Sequence, residues 1–394
     1  MKLTRTELTI LFTLALVQFT HVMDFMIMMP LSPQLMRALS ITTKQFSFLV
    51  SSFNIAAGIA ALLGVFIIDR LERRRALVFN YIGFVIGTYS CAIANTYETL
   101  IVARIVAGMF GGMSSALIIS IISDTIPPQK RGASMGIVMS AFSLASIIGV
   151  PFGLQLSLWF NWHAPFVVVG SLGLLVIPLA LKFIPPINGH LANLAPFSIT
   201  KPLQNVFNSS AKIYALVLSA CLMLGWFIII PFISPYLVGN VGFTEAQLPL
   251  IYLVGGACSI LASPLVGKLT DKYGSIKVFY VAILFSVVVL LALTNLGAVP
   301  MWQALIVTSC LFLCSSARMI PSQALISKSI DAQTRGSFMS FNSFVQQTTS
   351  GIATLIGGSI MIKHANGSFE NYEILGYIAA TFSIIALFVI RKIK

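Results

Sequence analysis

The apolar residues of this chain form long uninterrupted runs, unlike the short alternating segments that are typical of β-strands. Each run has at least roughly the 20 residues that a helix needs to cross a lipid bilayer. The pattern therefore predicts an all-α polytopic membrane protein with twelve transmembrane helices. The twelve predicted spans cover residues 8–30, 44–68, 76–95, 99–123, 133–158, 163–184, 211–237, 246–270, 276–296, 299–325, 335–362 and 372–391.

Composition agrees with this pattern, because 57% of the residues are hydrophobic and only 9% are charged. A soluble protein carries about a quarter charged residues. The net charge of +13 is unevenly distributed: 19 of the 24 lysines and arginines lie in loops on the side of the two termini, and three lie on the opposite side. This bias predicts that both termini lie in the cytoplasm. We expect the membrane to be the plasma membrane, that is, the bacterial inner membrane. It also accounts for the basic balance without a nucleic-acid partner.

The longest non-apolar connection, residues 185–210, is rich in Pro, Asn and Ser and separates the sixth run from the seventh. We therefore expect a six-helix bundle at 1–184, a cytoplasmic linker at 185–210 and a second six-helix bundle at 211–394. Short stretches recur in the two halves at offsets of 202 to 204 residues, as for Asp69 and Asp271. Two parallel repeats of this kind place the substrate site at their interface.

Three motifs mark particular places along the chain. The loop after the eighth run reads Gly267-Lys-Leu-Thr-Asp271-Lys272-Tyr-Gly274-Ser-Ile-Lys277, the fourth run carries Arg104-x-x-x-Gly108-x-x-x-Gly112, and the fifth carries Gly149-Val-Pro151-Phe-Gly153. Together they resemble motifs of the major facilitator superfamily, and within it the twelve-helix drug:proton antiporter branch. The resemblance covers the whole chain and implies the major facilitator fold and secondary transport.

The resemblance also implies a conformational gate at the loops after spans 2 and 8. The copy after span 2 departs from the pattern, because Val65 stands where the first Gly is expected and Glu72 replaces the second. We expect acid–base pairs at these helix ends to lock one conformation and release another. The alternative is that the basic residues only set topology. The candidate gating residues are Asp69, Arg70, Arg74, Asp271 and Lys272.

The first run carries the candidate proton-coupling residues. Asp24 is the only acidic residue deep within a hydrophobic run, where an ionised carboxylate costs at least ~2.5–3.5 kcal/mol. Gln18 and His21 precede it at intervals of three, so the three share one helix face. Arg104 of span 4 keeps its charge and needs a partner. We expect Asp24 to pair with Arg104, and their separation to load or release a proton. The alternative is a static ion pair. His21 either relays a proton or hydrogen-bonds Gln18.

Other polar or soft residues within the spans are candidates for a substrate cavity. Arg318 has no carboxylate partner in the second-half helices, which favours a water-filled cavity over a structural role. The repeat offset aligns Asp24 with Trp226, so proton handling belongs to the first half. The candidate cavity residues are Gln18, Met28, Asn54, Trp226, Tyr236, Arg318, Gln346 and Gln347. The candidate helix-packing residues are Gly108, Gly112, Gly149, Pro151 and Gly153.

These residues predict a proton-coupled secondary transporter that exports an amphipathic or apolar small molecule by alternating access. A proton-symport importer of a nutrient or siderophore is the nearest alternative, because it would use the same carboxylate and fold. A membrane-embedded enzyme with His21 and Asp24 as an acid–base pair would need a converging nucleophile or metal cluster. A channel would need a filter or a ring of charge, and an ATP-driven pump a G-x-x-x-x-G-K-[ST] loop. We expect no metal or cofactor, and a monomer in the bilayer.

Overall fold

The computed structural model describes residues 3–189, 191, 204, 206–328, 330 and 335–393, with positions 69, 328 and 335–337 described by their backbone only. Most of the predicted linker 185–210 therefore lies outside the described residues. In this described part, the chain forms twelve helical spans and one small hairpin.

Twelve helical spans follow one another, each within a few residues of its predicted run. Spans 1 to 6 form the first half of the molecule and spans 7 to 12 the second. A two-stranded antiparallel hairpin, β1 (Ile362–Lys363) and β2 (Phe369–Glu370), joins spans 11 and 12. In chain order, the spans are Arg5–Ile27, Thr43–Ile67, Arg73–Ile93, Tyr97–Thr125, Pro128–Leu144 continued by Val150–Trp159, Ala164–Phe183, Ser210–Phe227 continued by Ile230–Phe232 and Ile233–Tyr236, Leu248–Tyr273, Ser275–Thr294, Met301–Lys328, Arg335–Ile360 and Tyr372–Ile390.

Eleven helical segments in the described ranges are long and apolar enough to cross a membrane. Span 11 is the remaining span, and its middle carries the polar run Gln346-Gln-Thr-Thr-Ser350. It packs along span 2 of the other half, so this polar run faces protein over much of its surface. The prediction of an all-α membrane protein with two six-helix repeats is confirmed.

Both repeats bend at corresponding places on the side opposite the two termini, which we call the far side. The other face is the terminal side. Span 1 ends at Ile27, and after Pro30 the chain continues as the short helix Ser32–Ala38. Span 7 breaks in the same way at Pro231. A proline removes a backbone donor and clashes with the preceding turn, so each break follows from its proline. The internal sequence repeat is thus also a repeat of backbone shape.

Span 5 contains one wide, π-helical turn, Ala145–Gly149, between its two α-helical parts. Pro151 follows this turn and cannot donate a backbone hydrogen bond, which is a usual cause of such an irregularity. Side-chain atoms of span 1 lie 3.3 Å and 2.7 Å from where a Cβ would stand at Gly149 and Gly153. Spans 1 and 5 therefore approach each other closely because these positions have no side chain.

The buried apolar side chains form separate clusters on the two sides of the molecule. On the far side, one continuous cluster contains residues of all twelve spans and joins the two halves. On the terminal side, one cluster is built from spans 1 to 6 and another from the second half. Buried residues of both halves therefore share one cluster on the far side. On the terminal side each half has its own cluster, and Leu62 of span 2 packs against that of the second half.

Candidate functional site

The two charges that were expected to pair lie against each other inside the first half. Arg104 Nη1 donates to Asp24 Oδ2 at 2.8 Å, and both side chains are at most 1% exposed. Asp24 stands on span 1 one turn before its end, and Arg104 stands on the far-side part of span 4. The guanidinium also lies over the ring of Phe53 in span 2, 4.2 Å from its centroid. Three spans thus hold this pair.

The close approach of span 4 to span 2 depends on two of the predicted packing residues. A Cβ at Gly108 or at Gly112 would collide with backbone atoms of Phe53 and Ala57 respectively. Small residues of this kind let helix backbones come together within a membrane. They place Arg104 within reach of both the carboxylate and the aromatic ring.

The ion pair leaves polar atoms unsatisfied. Among the described residues, neither Asp24 Oδ1 nor Arg104 Nε has a hydrogen-bond partner. A buried ion pair offsets its desolvation only when geometry is good and its remaining lone pairs and protons are also satisfied. Other groups lie close to the pair: Thr88 neighbours the carboxylate, Cys91 neighbours the guanidinium, and Arg104 Nη1 is 3.5 Å from the Asp24 carbonyl oxygen.

His21 lies in an aromatic pocket one turn from the ion pair. Its ring meets Phe84 edge-on at 5.5 Å and stacks at 6.3 Å on Phe53. Gly111 makes room for it, because a Cβ there would lie 2.6 Å from His21 Nε2. Within the described ranges, neither ring nitrogen has a hydrogen-bond partner, and Gln18 Oε1 also has none. Of the two alternatives for His21, the hydrogen bond to Gln18 is therefore not formed in this conformation.

A cavity of about 470 Å³ lies between the two halves, as expected for parallel repeats. Spans 1 and 5 line it from the first half, and spans 7, 8, 10 and 11 line it from the second. Its wall is mainly apolar, and its volume falls within the ~300–1,000 Å³ that is usual for ligand pockets. Four of the candidate cavity residues line it: Trp226, Arg318, Gln346 and Gln347.

Met28 lies away from this cavity, although it was the methionine of span 1 expected to face it. Phe25, Met26 and Met29 line the cavity instead, while Met28 is fully buried in the far-side cluster. The reason is the rotation of span 1 about its axis. Met26 and Met29 are three residues apart and share the face turned toward the second half, whereas the Asp24 face is turned toward span 4.

The remaining cavity candidates also lie elsewhere. Tyr236 stacks on Tyr372 with ring centroids 4.2 Å apart, within the far-side cluster. Asn54 is buried where span 2 meets Gly351 of span 11, and no partner for its amide is found among the described residues. Gln18 is buried inside the first half. These three residues are therefore packed within the protein in this conformation.

Arg318 is the one cation that the described residues place in the cavity wall, and its side chain is only 2% exposed. Its guanidinium carbon lies 4.9 Å from the ring centroid of Trp226, and Nη1 lies 3.5 Å from Ser383 Oγ. Within the described chain, Nε has no acceptor. The aromatic face and one long hydroxyl contact are the interactions that surround this permanent charge.

A line of aromatic rings connects the ion pair with the cavity. Arg104 lies over Phe53, Phe53 stacks on Phe25 at 5.6 Å, and Phe25 meets Phe227 at 6.1 Å. Phe25 and Phe227 both line the cavity, one from each half. Sequence analysis missed Phe25 and Phe53 in this role. The signal available was weak, namely that Phe25 directly follows Asp24 in the chain.

The family of the chain follows from comparison with known proteins. The family model described as Major Facilitator Superfamily matches residues 14–214 and matches again over residues 215–393. The chain belongs to the Major Facilitator Superfamily. The two matched segments meet at residues 214 and 215, near the boundary between the two six-helix halves, and together cover almost the whole chain.

Relatives and solved structures within the superfamily are distant. The uncharacterized MFS-type transporter YbcL of Bacillus subtilis (strain 168) is 22% identical, over 96% of this chain and 95% of its own. Multidrug resistance protein 3 of the same organism is 27% identical, over 55% and 46%. A bacterial homolog of the human lysosomal transporter Spinster, inward-facing and unoccupied, has a TM-score of 0.71 at 15% identity, covering 100% of this chain and 95% of that one. A point mutant of the nucleoside transporter NupG has a TM-score of 0.74 at 14% identity, covering 99% and 100%. These likenesses establish the fold.

The backbone conformation explains why the two copies of the superfamily loop motif differ in sequence. In the second copy, Gly274 has φ +87°, a conformation that side chains rarely adopt. In the first copy, Glu72 has φ −61° and caps span 3, since its carboxylate accepts from the N–H groups of Arg74 and Arg75, each at 2.9 Å. Burial acts to raise the pKa of Glu72, but the N–H groups of Ile187, Arg74 and Arg75 lower it overall. The capping carboxylate therefore replaces a glycine that this backbone does not need.

The candidate gating residues lie at the terminal ends of spans 2, 3 and 8. Arg70, Asp271 and Lys272 are exposed, and Arg74 Nη1 lies 3.4 Å from a carbonyl of span 6 in the same half. The side chain of Asp69 is outside the described part of the structure. In this conformation, the contacts recorded for Arg74 and for the adjoining Glu72 remain within the first half.

A cross-half ion pair lies on the far side, where no gate was expected. Arg37, after span 1, donates to Glu245, before span 8, through Nη1 and Nη2 of its guanidinium. A usable sequence signal existed, because the helix count places both residues on the same side of the membrane in different halves. In the sequence, Arg37 is one of the three basic residues on the side opposite the termini, and it was used there only to assign topology.

Proposed function

We propose that this member of the superfamily is a proton-coupled secondary transporter that exports an amphipathic or apolar small molecule by alternating access. We further propose that it resides in the bacterial inner membrane as a monomer, with both termini and the 185–210 linker in the cytoplasm between bundles 1–184 and 211–394. The observation that supports the coupling is the buried, under-satisfied Asp24–Arg104 pair at one end of an aromatic line that reaches the central cavity.

The proposed coupling follows from electrostatics in a medium of low dielectric constant. With Asp24 ionised, the carboxylate and the guanidinium attract strongly and hold spans 1 and 4 together. When Asp24 takes up a proton, Arg104 keeps its charge and the attraction falls. Arg104 can then shift toward other acceptors, and Phe53, which it covers at 4.2 Å, shifts with it. Proton occupancy would therefore change the packing of Phe25 and Phe227 at the cavity.

Alternating access requires contacts that close each side in turn. With cytoplasmic termini, we propose that the present conformation is inward-facing, because buried residues of both halves share a cluster on the far side and form separate clusters on the terminal side, where the partly buried Leu62 packs against the second-half cluster. The pair of Arg37 with Glu245 reinforces that closure. We propose that the residues at the terminal ends of spans 2, 3 and 8 close the opposite side after the halves rock.

Export of apolar or amphipathic compounds is favoured by the wall of the cavity. Met26 and Met29 are flexible and polarizable, and they suit ligands of varied shape. Phe25 and Trp226 add broad aromatic surface. Import by proton symport would use the same carboxylate, so the direction needs a direct test: antiport predicts that substrate and proton compete, whereas symport predicts that each favours binding of the other.

The test is transport in proteoliposomes with an imposed pH gradient, using wild type, Asp24→Asn and Glu7→Gln. Glu7 is a matched control, because it lies on the same span and forms an ion pair with Lys130 at 2.9 Å on the terminal side. We expect Asp24→Asn to abolish gradient-driven movement while the protein remains folded, and Glu7→Gln to retain it. Full gradient-driven transport by Asp24→Asn would remove this carboxyl from the mechanism.

A further inference from the structure

The two halves carry the same arrangement of helices with different chemistry at one point. In the first half, Arg104 of span 4 faces Asp24 of span 1. In the second half, Arg318 of span 10 faces span 7, which is the counterpart of span 1 in the repeat. The residue aligned with Asp24 by the repeat offset is Trp226, and Arg318 lies over its ring at 4.9 Å. The same offset carries Arg104 to Ile306, so Arg318 is not its counterpart in the repeat. The second half nevertheless places a buried arginine against span 7, and the position aligned with Asp24 there is not a carboxylate.

The protein supplies no replacement for that carboxylate within the membrane interior. The sequence has 11 acidic residues, and Asp24, which is already paired, is the only one deep within a span. A guanidinium cannot become neutral, and a charge buried in a membrane needs a counter-charge, carbonyls or water. The contacts recorded for Arg318 are the Trp226 ring and one hydroxyl at 3.5 Å, and neither carries a negative charge.

A second donor without an acceptor lies in the same cavity wall. Gln346 Nε2 on span 11 is buried and, like Arg318 Nε, has no hydrogen-bond partner among the described residues. Buried donors in folded proteins are rarely left unpaired, and an exception needs a ligand, a water molecule or a function. Two such donors in one cavity wall indicate a site for a group that is rich in acceptor oxygens. A carboxylate fits best, since its two oxygens match the fork of a guanidinium.

The rest of the cavity wall indicates the chemistry of the ligand's other part, its body. Phe25, Met26, Met29, Phe227 and Phe312 present apolar and aromatic surface to a cavity of about 470 Å³. That space accommodates a small molecule with an aromatic or aliphatic body. A cationic ligand would instead meet Arg318 in a low-dielectric space, where like charges repel strongly.

We propose that the central cavity binds amphipathic organic monoanions, with the anionic group on Arg318 and Gln346 and the apolar body between Phe25, Met26 and Phe312. This proposal rests on the proposed transport function, because it names the class of molecule carried. The ligand supplies in the second half the negative charge that Asp24 supplies in the first. A free organic acid and a single-chain anionic lipid share this chemistry.

The test is isothermal titration calorimetry on the full chain in phosphatidylcholine nanodiscs, with three probes of one shape: 2-naphthoate, 2-naphthamide and 2-naphthylmethylammonium. We expect naphthoate to bind at least about tenfold more tightly than the amide, and the ammonium to bind most weakly. Arg318→Gln should remove the preference for the anion, and Arg318→Lys should keep part of it. Lys392→Gln is the matched control, because it removes one exposed positive charge outside the cavity and outside the loop motifs and should change nothing.

Several outcomes would overturn the proposal: equal binding of naphthoate and naphthamide, no binding of naphthoate, or a preference for the anion that survives Arg318→Gln. The comparison among probes on wild type needs no variant, so it stands even if Arg318→Gln does not fold. Nanodiscs that also contain phosphatidylglycerol separate the two sources, because an anionic lipid that occupies the site would weaken naphthoate binding. If naphthoate binds in an Arg318-dependent way but no pH-driven transport occurs, only the transport proposal is rejected. If Asp24-dependent transport occurs for neutral or cationic compounds only, the transport proposal stands and the proposal of a monoanionic ligand is rejected.

Discussion

Replacing Arg104 by Gln isolates the energy of the intramembrane ion pair. The change leaves the Asp24 carboxylate at 0% exposure without its counter-ion. Removing one partner of a buried pair costs about 3–5 kcal/mol. The contacts that are lost agree with that range, since a hydrogen bond between charged groups contributes about 1.5–3 kcal/mol and the cation–π contact with Phe53 about 0.5–2 kcal/mol. We expect Arg104→Gln to lower the free energy of unfolding by about 3–5 kcal/mol at about pH 8.

The same variant should be less destabilised in acid, because Asp24 can then take up a proton and lose its uncompensated charge. We expect the double variant Asp24→Asn, Arg104→Gln to cost less than Arg104→Gln alone, since neither buried charge remains. The assay is a double-mutant cycle of detergent-denaturant unfolding at about pH 5 and about pH 8. Additive single costs that do not vary with pH would refute the reasoning, because the two side chains would then not interact energetically.

The other predictions concern the connections around this pair. Phe53→Leu should interrupt the aromatic line and reduce gradient-driven transport by about 5- to 150-fold, while ligand binding in the cavity persists. Phe79→Leu, at an exposed phenylalanine, should leave transport unchanged. Equal effects of the two substitutions would show that the aromatic line has no part in the mechanism. Gly274→Ala should cost about 1–3 kcal/mol of stability, because its φ of +87° and ψ of 147° fall in a region that essentially only glycine adopts. Gly267→Ala, with no atom within 4 Å, should cost nothing. Arg37→Glu should make cysteines introduced on the far side accessible to thiol reagents, and adding Glu245→Arg should restore closure. Equal labelling with and without these changes would contradict a latch formed by this pair.

The architecture was predictable because each span needs a continuous apolar run, and the length and composition of such a run can be read directly from the sequence. Even the repeat was visible, through Asp69 and Asp271 at a constant offset. The rarity of intramembrane charge likewise singled out Asp24 and Arg104, since each must find a partner. Scarcity of charge thus carried more information than any motif.

The rotation of each helix was not predictable in the same way. In a soluble protein, the polar face shows which side of a helix meets water. A membrane helix meets lipid on its outside, and lipid is as apolar as the protein core, so the pattern hardly distinguishes the two faces. This is why Met28 was expected at the cavity in place of Met26 and Met29. Gln18 and Asn54 were assigned to the cavity for the same reason, although both are buried elsewhere in the protein.

Contacts between distant spans were also beyond the sequence. The line from Arg104 through Phe53 and Phe25 to Phe227 depends on three inter-helix packings, and no spacing in the chain encodes it. The exchange of Gly for Glu72 was visible as a departure from a motif. Its cause, a helix cap at an ordinary φ, needed the backbone conformation.

The central claim is that Asp24 changes its proton occupancy within the membrane, and infrared difference spectroscopy between acid and neutral pH tests it most directly. The account predicts a carbonyl stretching band of a protonated, buried carboxyl group that forms as pH falls, is absent in Asp24→Asn and persists in Glu7→Gln. A spectrum of wild type without any Asp24-dependent carboxyl band, over the pH range in which the protein transports, would contradict the account.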